Sequence, residues 1–156
     1  MSTLAATDQL LQFVTFTLGN NDYAVDILKV QEINRIKEIT RMPNSPPYVE
    51  GVINLRGKVI PVINLRKKFG MAESENKEQS RIVIMDIQEI TTGLVVDSVS
   101  EVLRIPSSVV EPAPQMASDI NTEFIEGIAK QEERLIILLD IDGLFGRTGH
   151  IADENS

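Results

Sequence analysis

Apolar and polar residues alternate with a period of two along most of this chain. Phe13-Val14-Thr15-Phe16-Thr17-Leu18 runs into Gly19-Asn20-Asn21-Asp22, and the apolar pattern resumes at Tyr23-Ala24-Val25. Successive strand side chains face opposite sides, and Gly and Asn accept positive φ, so this stretch predicts a β-hairpin. The same alternation, or a short β-branched run, predicts strands over 27–33, 51–55, 59–63, 82–87, 93–96, 99–105, 127–129 and 135–139. Short strands at this density indicate barrels or sandwiches. Helical signals are few. Asn64 can cap a short turn over 65–69 that stops at Gly70, and Asp140 can cap a similar one ending near Gly146. Pro43, Pro46 and Pro47 fall in one connection and Pro106, Pro112 and Pro114 in another, where a missing N–H breaks no ladder. The segment 72–79 is charged and glycine-free, and reads as an exposed loop.

The sequence carries an internal duplication. A shift of 69 places sets Phe13-Val14-Thr15-Phe16 on Ile82-Val83-Ile84-Met85, Ala24-Val25 on Gly93-Leu94, and Val30, Glu32 and Ile33 on Val99, Glu101 and Val102. A shift of 76 then takes over. It sets Glu50-Gly51-Val52 on Glu126-Gly127-Ile128, Val62-Ile63-Asn64-Leu65 on Leu138-Leu139-Asp140-Ile141, and Phe69 on Phe145. The change of offset marks an insertion around 107–123. Glycine, capping residue and closing Phe coincide as well as the aliphatics, so equal patterns are expected to build equal units. The expected organisation is an N-terminal arm 1–11, a domain 12–145 and a polar tail 146–156. Within the domain, two interleaved five-stranded barrels cover about 12–80 and 81–145. Each barrel alone buries too little, so the two should pack together and leave a groove between them.

Composition narrows the function classes. The chain has 156 residues, 42% of them hydrophobic, enough for one compact folding unit. The longest aliphatic run, Leu135-Ile136-Ile137-Leu138-Leu139, is far below the roughly 20 residues that cross a bilayer. A formal charge of −8 repels nucleic-acid phosphates and anionic lipid, and without Trp there is little to stack on bases. With no cysteine and no secretory pattern at Met1 to Leu11, a cytoplasmic protein is expected.

The inventory argues against catalysis. One histidine, His150 in the polar tail, and no cysteine exclude Ser-His-Asp triads, Cys-His pairs and ordinary zinc sites. The stretch Gly51 to Lys58 fails as a P-loop, with five residues between its glycines and Val59 where a Ser or Thr would hold magnesium. Asp140-Ile141-Asp142-Gly143 places its glycine too early for a calcium loop. Glu32, Glu50, Glu101 and Glu126 could meet as paired carboxylates, with solvated surface acids the plainer alternative. No cofactor and no metal are expected.

The segment Gly51-Val52-Ile53-Asn54-Leu55-Arg56-Gly57-Lys58-Val59-Ile60-Pro61-Val62-Ile63-Asn64-Leu65 closely resembles the signature of the CheW-like domain, the chemotaxis coupling family. Phe16-Thr17-Leu18-Gly19 with 23–33 is similar to the family's opening strands, 96–102 to its middle and 135–140 to its close, so the resemblance spans about 12–145. It implies an all-β fold of two SH3-like five-stranded barrels with short helical turns. It also implies a non-enzymatic scaffold that couples the cytoplasmic hairpin tip of methyl-accepting chemoreceptors to the regulatory domain of the histidine kinase CheA, in ternary arrays at membrane-associated clusters without membrane insertion. The same domain occurs within CheA and CheV, but this length leaves no room for a kinase or receiver domain, so the stand-alone adaptor is expected.

By the same resemblance, Val30, Glu32 and Ile33 on an early strand and Asn54, Leu55, Arg56 and Gly57 at a hairpin edge would contact the receptor. The resemblance assigns no kinase-facing residue. Arg56 beside Gly57 can project a planar fork toward a carboxylate, and the alternative for it is an internal ion pair to Glu32. Val30 and Ile33 lie on opposite faces of a regular strand, so one is expected in the core and the other free for a partner. Rival readings are a CheW-like adaptor of another receptor–kinase pathway such as surface motility, a barrel-borne enzyme or ligand carrier with a closed pocket, and a structural oligomer built on an exposed edge strand.

Overall fold

Phe13, Val14, Thr15 and Phe16 are four consecutive buried residues, and so are Ile82, Val83, Ile84 and Met85. A strand reads this way only when both of its faces are covered. In a computed structural model of the chain, which describes residues 9–36, 38–72, 78–112 and 125–144, both runs lie on strands sandwiched between two layers of core. The strands are β1 Leu10–Leu18, β2 Asn21–Asp26, β3 Val30–Arg35, β4 Val49–Leu55, β5 Lys58–Asn64, β6 Arg81–Ile87, β7 Ile90–Val96, β8 Ser98–Pro106, β9 Val110–Glu111, β10 Ile125–Gln131 and β11 Arg134–Leu139. Two single-turn helices, α1 Leu65–Lys68 and α2 Ile141–Leu144, and 3₁₀ turns at Ile27–Lys29 and Ser107–Val109 complete the described chain. The fold is all-β with short helical turns.

The strands form a six-stranded sheet, β8-β1-β2-β11-β10-β9, and a five-stranded sheet, β3-β6-β7-β5-β4. Each sheet closes on itself. Thr40, just past β3, bridges Val52 of β4 through two backbone bonds of 2.9 and 2.8 Å, and β9, just past β8, pairs with β10.

The duplication is visible residue for residue in the pairing. Phe13 lies opposite Asp26 and Leu103, and its counterpart Ile82 lies opposite Val95 and Asn34, each pair displaced by 69. The parallel pair Val62 with Gly93 recurs as Leu138 with Ala24. Register shifts recur too, opposite Phe16 and opposite Met85, and again at Val49/Gly51 and Ile125/Gly127.

The structure corrects three expectations. The barrels do not divide at about residue 80: one is the continuous stretch from β3 to β7, and the other joins the N-terminal hairpin β1–β2 to β8–β11. Each barrel therefore takes strands from both repeats, because the two central hairpins have changed places. β9, absent from the sequence reading, adds a sixth strand to one sheet. The strand expected from Ile27 begins at Val30, because the Asp26 carboxylate accepts the Leu28 N–H at 2.9 Å and bends the chain into a 3₁₀ turn. Between the barrels Val14, Phe16, Tyr23, Val83, Met85 and Leu94 form a shared core, while Phe13, Leu103 and Ile136 fill one barrel and Ile53, Ile60 and Ile84 the other.

Both predicted caps form. The Asn64 side-chain oxygen accepts the Lys67 N–H and that of Asp140 accepts the Gly143 N–H. The tail 146–156, Phe145, most of the arm and most of the loop and the insertion lie outside the described residues. Leu10 and Leu11, assigned to the arm, are already in β1.

The β6–β7 turn places Gln88 and Glu89 at φ of 52° and 69°. An L-residue in this left-handed region carries a cost that glycine avoids, so Glu89→Gly should raise stability by about 1 kcal/mol, read as a higher urea midpoint with unchanged slope.

Among the described residues the chain passes between barrels twice, at Ile27–Lys29 and at Asp97. Both crossings are clasped. Asp97 accepts the Gly19 N–H at 2.8 Å from the β1–β2 turn and two bonds from the Arg66 guanidinium of α1, Nε at 2.7 Å and Nη2 at 2.6 Å. Asp142 of α2 accepts the Gln88 N–H at 2.9 Å from the β6–β7 turn and the Lys29 ammonium at 2.7 Å. Burial alone would raise the Asp97 carboxyl, but the bonds from Arg66 and Gly19 and the Arg66 charge together hold it below the ordinary carboxylate value.

A depressed folded value means that the unfolded chain binds the proton first on acidification. The Asp97 contribution is therefore fully present above the unfolded pKa and is lost as pH falls through the folded one. Asp97→Asn should be about 2 kcal/mol less stable at pH 7 and should converge on the parent below pH 4, measured by urea unfolding at stepped pH.

Candidate functional site

Two elements at opposite ends of the five-stranded sheet order, β3 and the β4–β5 hairpin, are brought face to face by barrel closure. The hairpin tip is a two-residue turn with Arg56 at φ 51° and Gly57 at φ 86°, the pair of positive values that matches the twist of the flanking strands. The Asn54 side-chain oxygen accepts the Gly57 N–H at 2.9 Å and fixes the tip. From that tip the Arg56 guanidinium reaches across to Glu32 on β3 and donates to both of its carboxylate oxygens, Nη1 to Oε1 at 3.3 Å and Nη2 to Oε2. The ion pair anticipated as the alternative for Arg56 is thus present. It is also a surface feature, since the Arg56 side chain is 69% exposed.

The other expected residues divide between surface and core. Ile33 is 40% exposed, whereas Val30 is half-buried and packs against the shared core. Burial alternates regularly along β3, so the two take opposite faces as parity requires, Val30 inward and Ile33 outward. Leu55 is 4% exposed and belongs to the five-stranded barrel's interior, so its side chain is a core group and not a contact surface. One exposed apolar residue near the tip was not singled out from the sequence: Val59, opposite Asn54, is 72% exposed. Its signal was parity, because Ile60 and Val62 point inward and Val59 must point out.

The second barrel repeats the arrangement with a different base. Glu101, the counterpart of Glu32, accepts Arg134 Nη1 at 3.3 Å, while Arg134 Nε also binds Asp22 at 3.2 Å. Val102 and Leu135, the counterparts of Ile33 and Val59, are exposed too. The four glutamates weighed as paired acids go to separate surroundings. Glu32 meets Arg56 and Glu101 meets Arg134. Glu50 binds Asn64 at 2.7 Å and Lys67 at 3.2 Å, and Glu126 stands near Asp140, Asp26, Lys29 and Asp142.

Among the described residues no group of three or more His, Cys, Asp or Glu side chains is placed to hold a metal ion. A polar pocket of about 680 Å³ is lined by Lys29, Asp86, Gln88, Glu89 and Asp142, and its ammonium and amide groups are engaged in the second clasp. Nothing in it converges on a reacting atom. No described helix is long and apolar enough to cross a membrane.

Comparison with known proteins agrees with the geometry. The family model described as the CheW-like domain matches residues 12–148. The chemotaxis protein CheW of Klebsiella aerogenes is 40% identical over 144 residues, covering 92% of this chain and 87% of the relative. That of Bacillus subtilis is 35% identical over 136 residues, covering 87% of each. Among solved structures, the scaffolding protein TtCheW from Thermoanaerobacter tengcongensis superposes with a TM-score of 0.82 at 40% identity, covering 91% of this chain and 97% of that one.

Proposed function

The chain belongs to the CheW-like domain family, and from that premise we propose that this chemotaxis scaffold is a non-catalytic adaptor joining methyl-accepting chemoreceptors to the histidine kinase CheA. The observation that carries the receptor-binding half is the exposed Arg56 guanidinium, held at a fixed hairpin tip with Glu32, Ile33 and Val59 around it. A receptor's helical hairpin tip offers a carboxylate or a helix C-terminus to the guanidinium and an apolar stripe to Ile33 and Val59. Glu32 holds Arg56 in place without burying it, so the fork reaches a partner already oriented.

The adaptor turns nothing over. It holds receptor tip and CheA regulatory domain at high local concentration and in fixed orientation, in the cytoplasm at receptor clusters, and needs no cofactor. The test is co-sedimentation with receptor-containing membranes and CheA, with kinase autophosphorylation recorded with and without the protein. The reading expects the protein in the pellet and a changed kinase output. Absence of both, with receptors and kinase from the same source, would overturn it. A CheW-like adaptor of a surface-motility pathway would bind and act only with that pathway's receptors and kinase.

A further inference from the structure

The two clasps use the same three stations. The shift of 69 places Gly19 on Gln88 and residues 28 and 29 on 97 and 98, and the shift of 76 places Arg66 on Asp142. In each clasp a carboxylate caps the amide of a central hairpin's turn and binds a cation, so that turn, helical turn and crossing are tied together. The acid and the base have exchanged stations between the two. At the first clasp the crossing supplies the acid and the helical turn the base. At the second the helical turn supplies the acid and the crossing the base.

The shared core cannot do this work alone. Burial of apolar surface is non-directional, so a core of Val, Leu, Ile and Phe leaves small rotations of one barrel on the other cheap. Charge-assisted bonds at 2.6–2.7 Å have a preferred direction, and a bidentate guanidinium adds a plane. Placed at the two crossings of the described chain, on side chains mostly screened from water at the Arg66–Asp97 pair, they fix the remaining angle.

We propose that Arg66, Asp97, Lys29 and Asp142 are positioning residues that set the angle between the barrels and, through it, the geometry in which an adaptor holds its receptor and its kinase. The second half of this inference rests on the proposed function. The Glu32–Arg56 surface lies on one barrel only, so a change of angle leaves that surface intact while moving it relative to the other barrel.

The test uses the full chain as Asp97→Ala, as Lys29→Ala, and as a transplant of the second clasp into the first, Arg66→Asp with Asp97→Leu and Ser98→Lys. Residual dipolar couplings of the two barrels read the angle, urea unfolding reads stability, membrane co-sedimentation reads receptor binding, and autophosphorylation reads coupling. The single variants should stay folded, change the angle, keep receptor affinity within roughly twofold and lose on the order of fivefold in kinase control. The transplant should restore both angle and control.

Unchanged couplings in a folded Asp97→Ala protein would overturn the proposal. So would losses of binding and control that run in parallel with the loss of folded protein, which is what a merely structural role gives. If the parent protein itself leaves kinase output unchanged, the functional reading fails, while the couplings still decide whether the clasps set the angle.

Discussion

Gly51→Ala is expected to remove about 3–5 kcal/mol of stability, a large part of what a domain of this size possesses. Gly51 has φ of +148°, a region that side chains other than hydrogen do not tolerate, and a Cβ there would stand 2.1 Å from the Thr40 carbonyl oxygen and 2.9 Å from Ile39. Neither neighbour can retreat. Thr40 makes the two-bond bridge to Val52 that closes the five-stranded barrel, and that closure is what brings β3 against the hairpin tip. The variant should show a sharply lower denaturation midpoint and weakened receptor binding together. Gly57→Ala is the control, because its φ of +86° is unfavourable but its surroundings are open within 4 Å. It should cost about 1 kcal/mol. A Gly51→Ala protein as stable as Gly57→Ala would show that the bridge is not what holds the barrel closed.

Arg56→Glu should act in the opposite way, with a large effect on binding and almost none on folding. The guanidinium is on the surface and its ion pair is open to solvent, so unfolding midpoints should stay within experimental scatter of the parent. The reversed charge would face Glu32 and repel any carboxylate that a receptor brings. Affinity for receptor-containing membranes should fall roughly tenfold or more, with a weaker effect at high salt, and binding to isolated CheA should be unchanged. Equal losses toward receptor and kinase would instead place Arg56 in a surface used by both.

Much of this was legible in the chain because β structure writes itself at short range. The strands around Phe13, Ile82 and Leu135 announced themselves by parity, and Asn64 and Asp140 announced their turns by capping chemistry. The duplication was legible as well, since a shift that aligns Gly51 with Gly127 aligns two positions where carbonyls at Thr40 and Glu111 exclude a side chain. Pairing across distance was not legible. Nothing local in Phe13 to Phe16 says that the hairpin joins β8 and β11 and not β3 and β5, because either set offers the same register and the same apolar complement. The buried state of Leu55 was legible by parity, since the alternation that carries Ile53 inward carries Leu55 inward too, between the polar Asn54 and Arg56. The Ile27–Lys29 turn was missed because its apolar content reads as strand and only the Asp26 side chain interrupts it.

The barrel from β3 to β7 is made, during synthesis, as an uninterrupted length of chain, whereas the other barrel is written in two pieces that flank it. Thr15 finds Glu101 86 positions later, and Lys29 finds Asp142 113 positions later. At ribosomal rates this is a wait of roughly ten seconds, long compared with the microseconds in which a hairpin forms. The middle barrel can close during that interval, but the first hairpin, apolar on both faces, stays unsheltered until β11 is made. The hairpin made before the continuous barrel is therefore sheltered from aggregation after it.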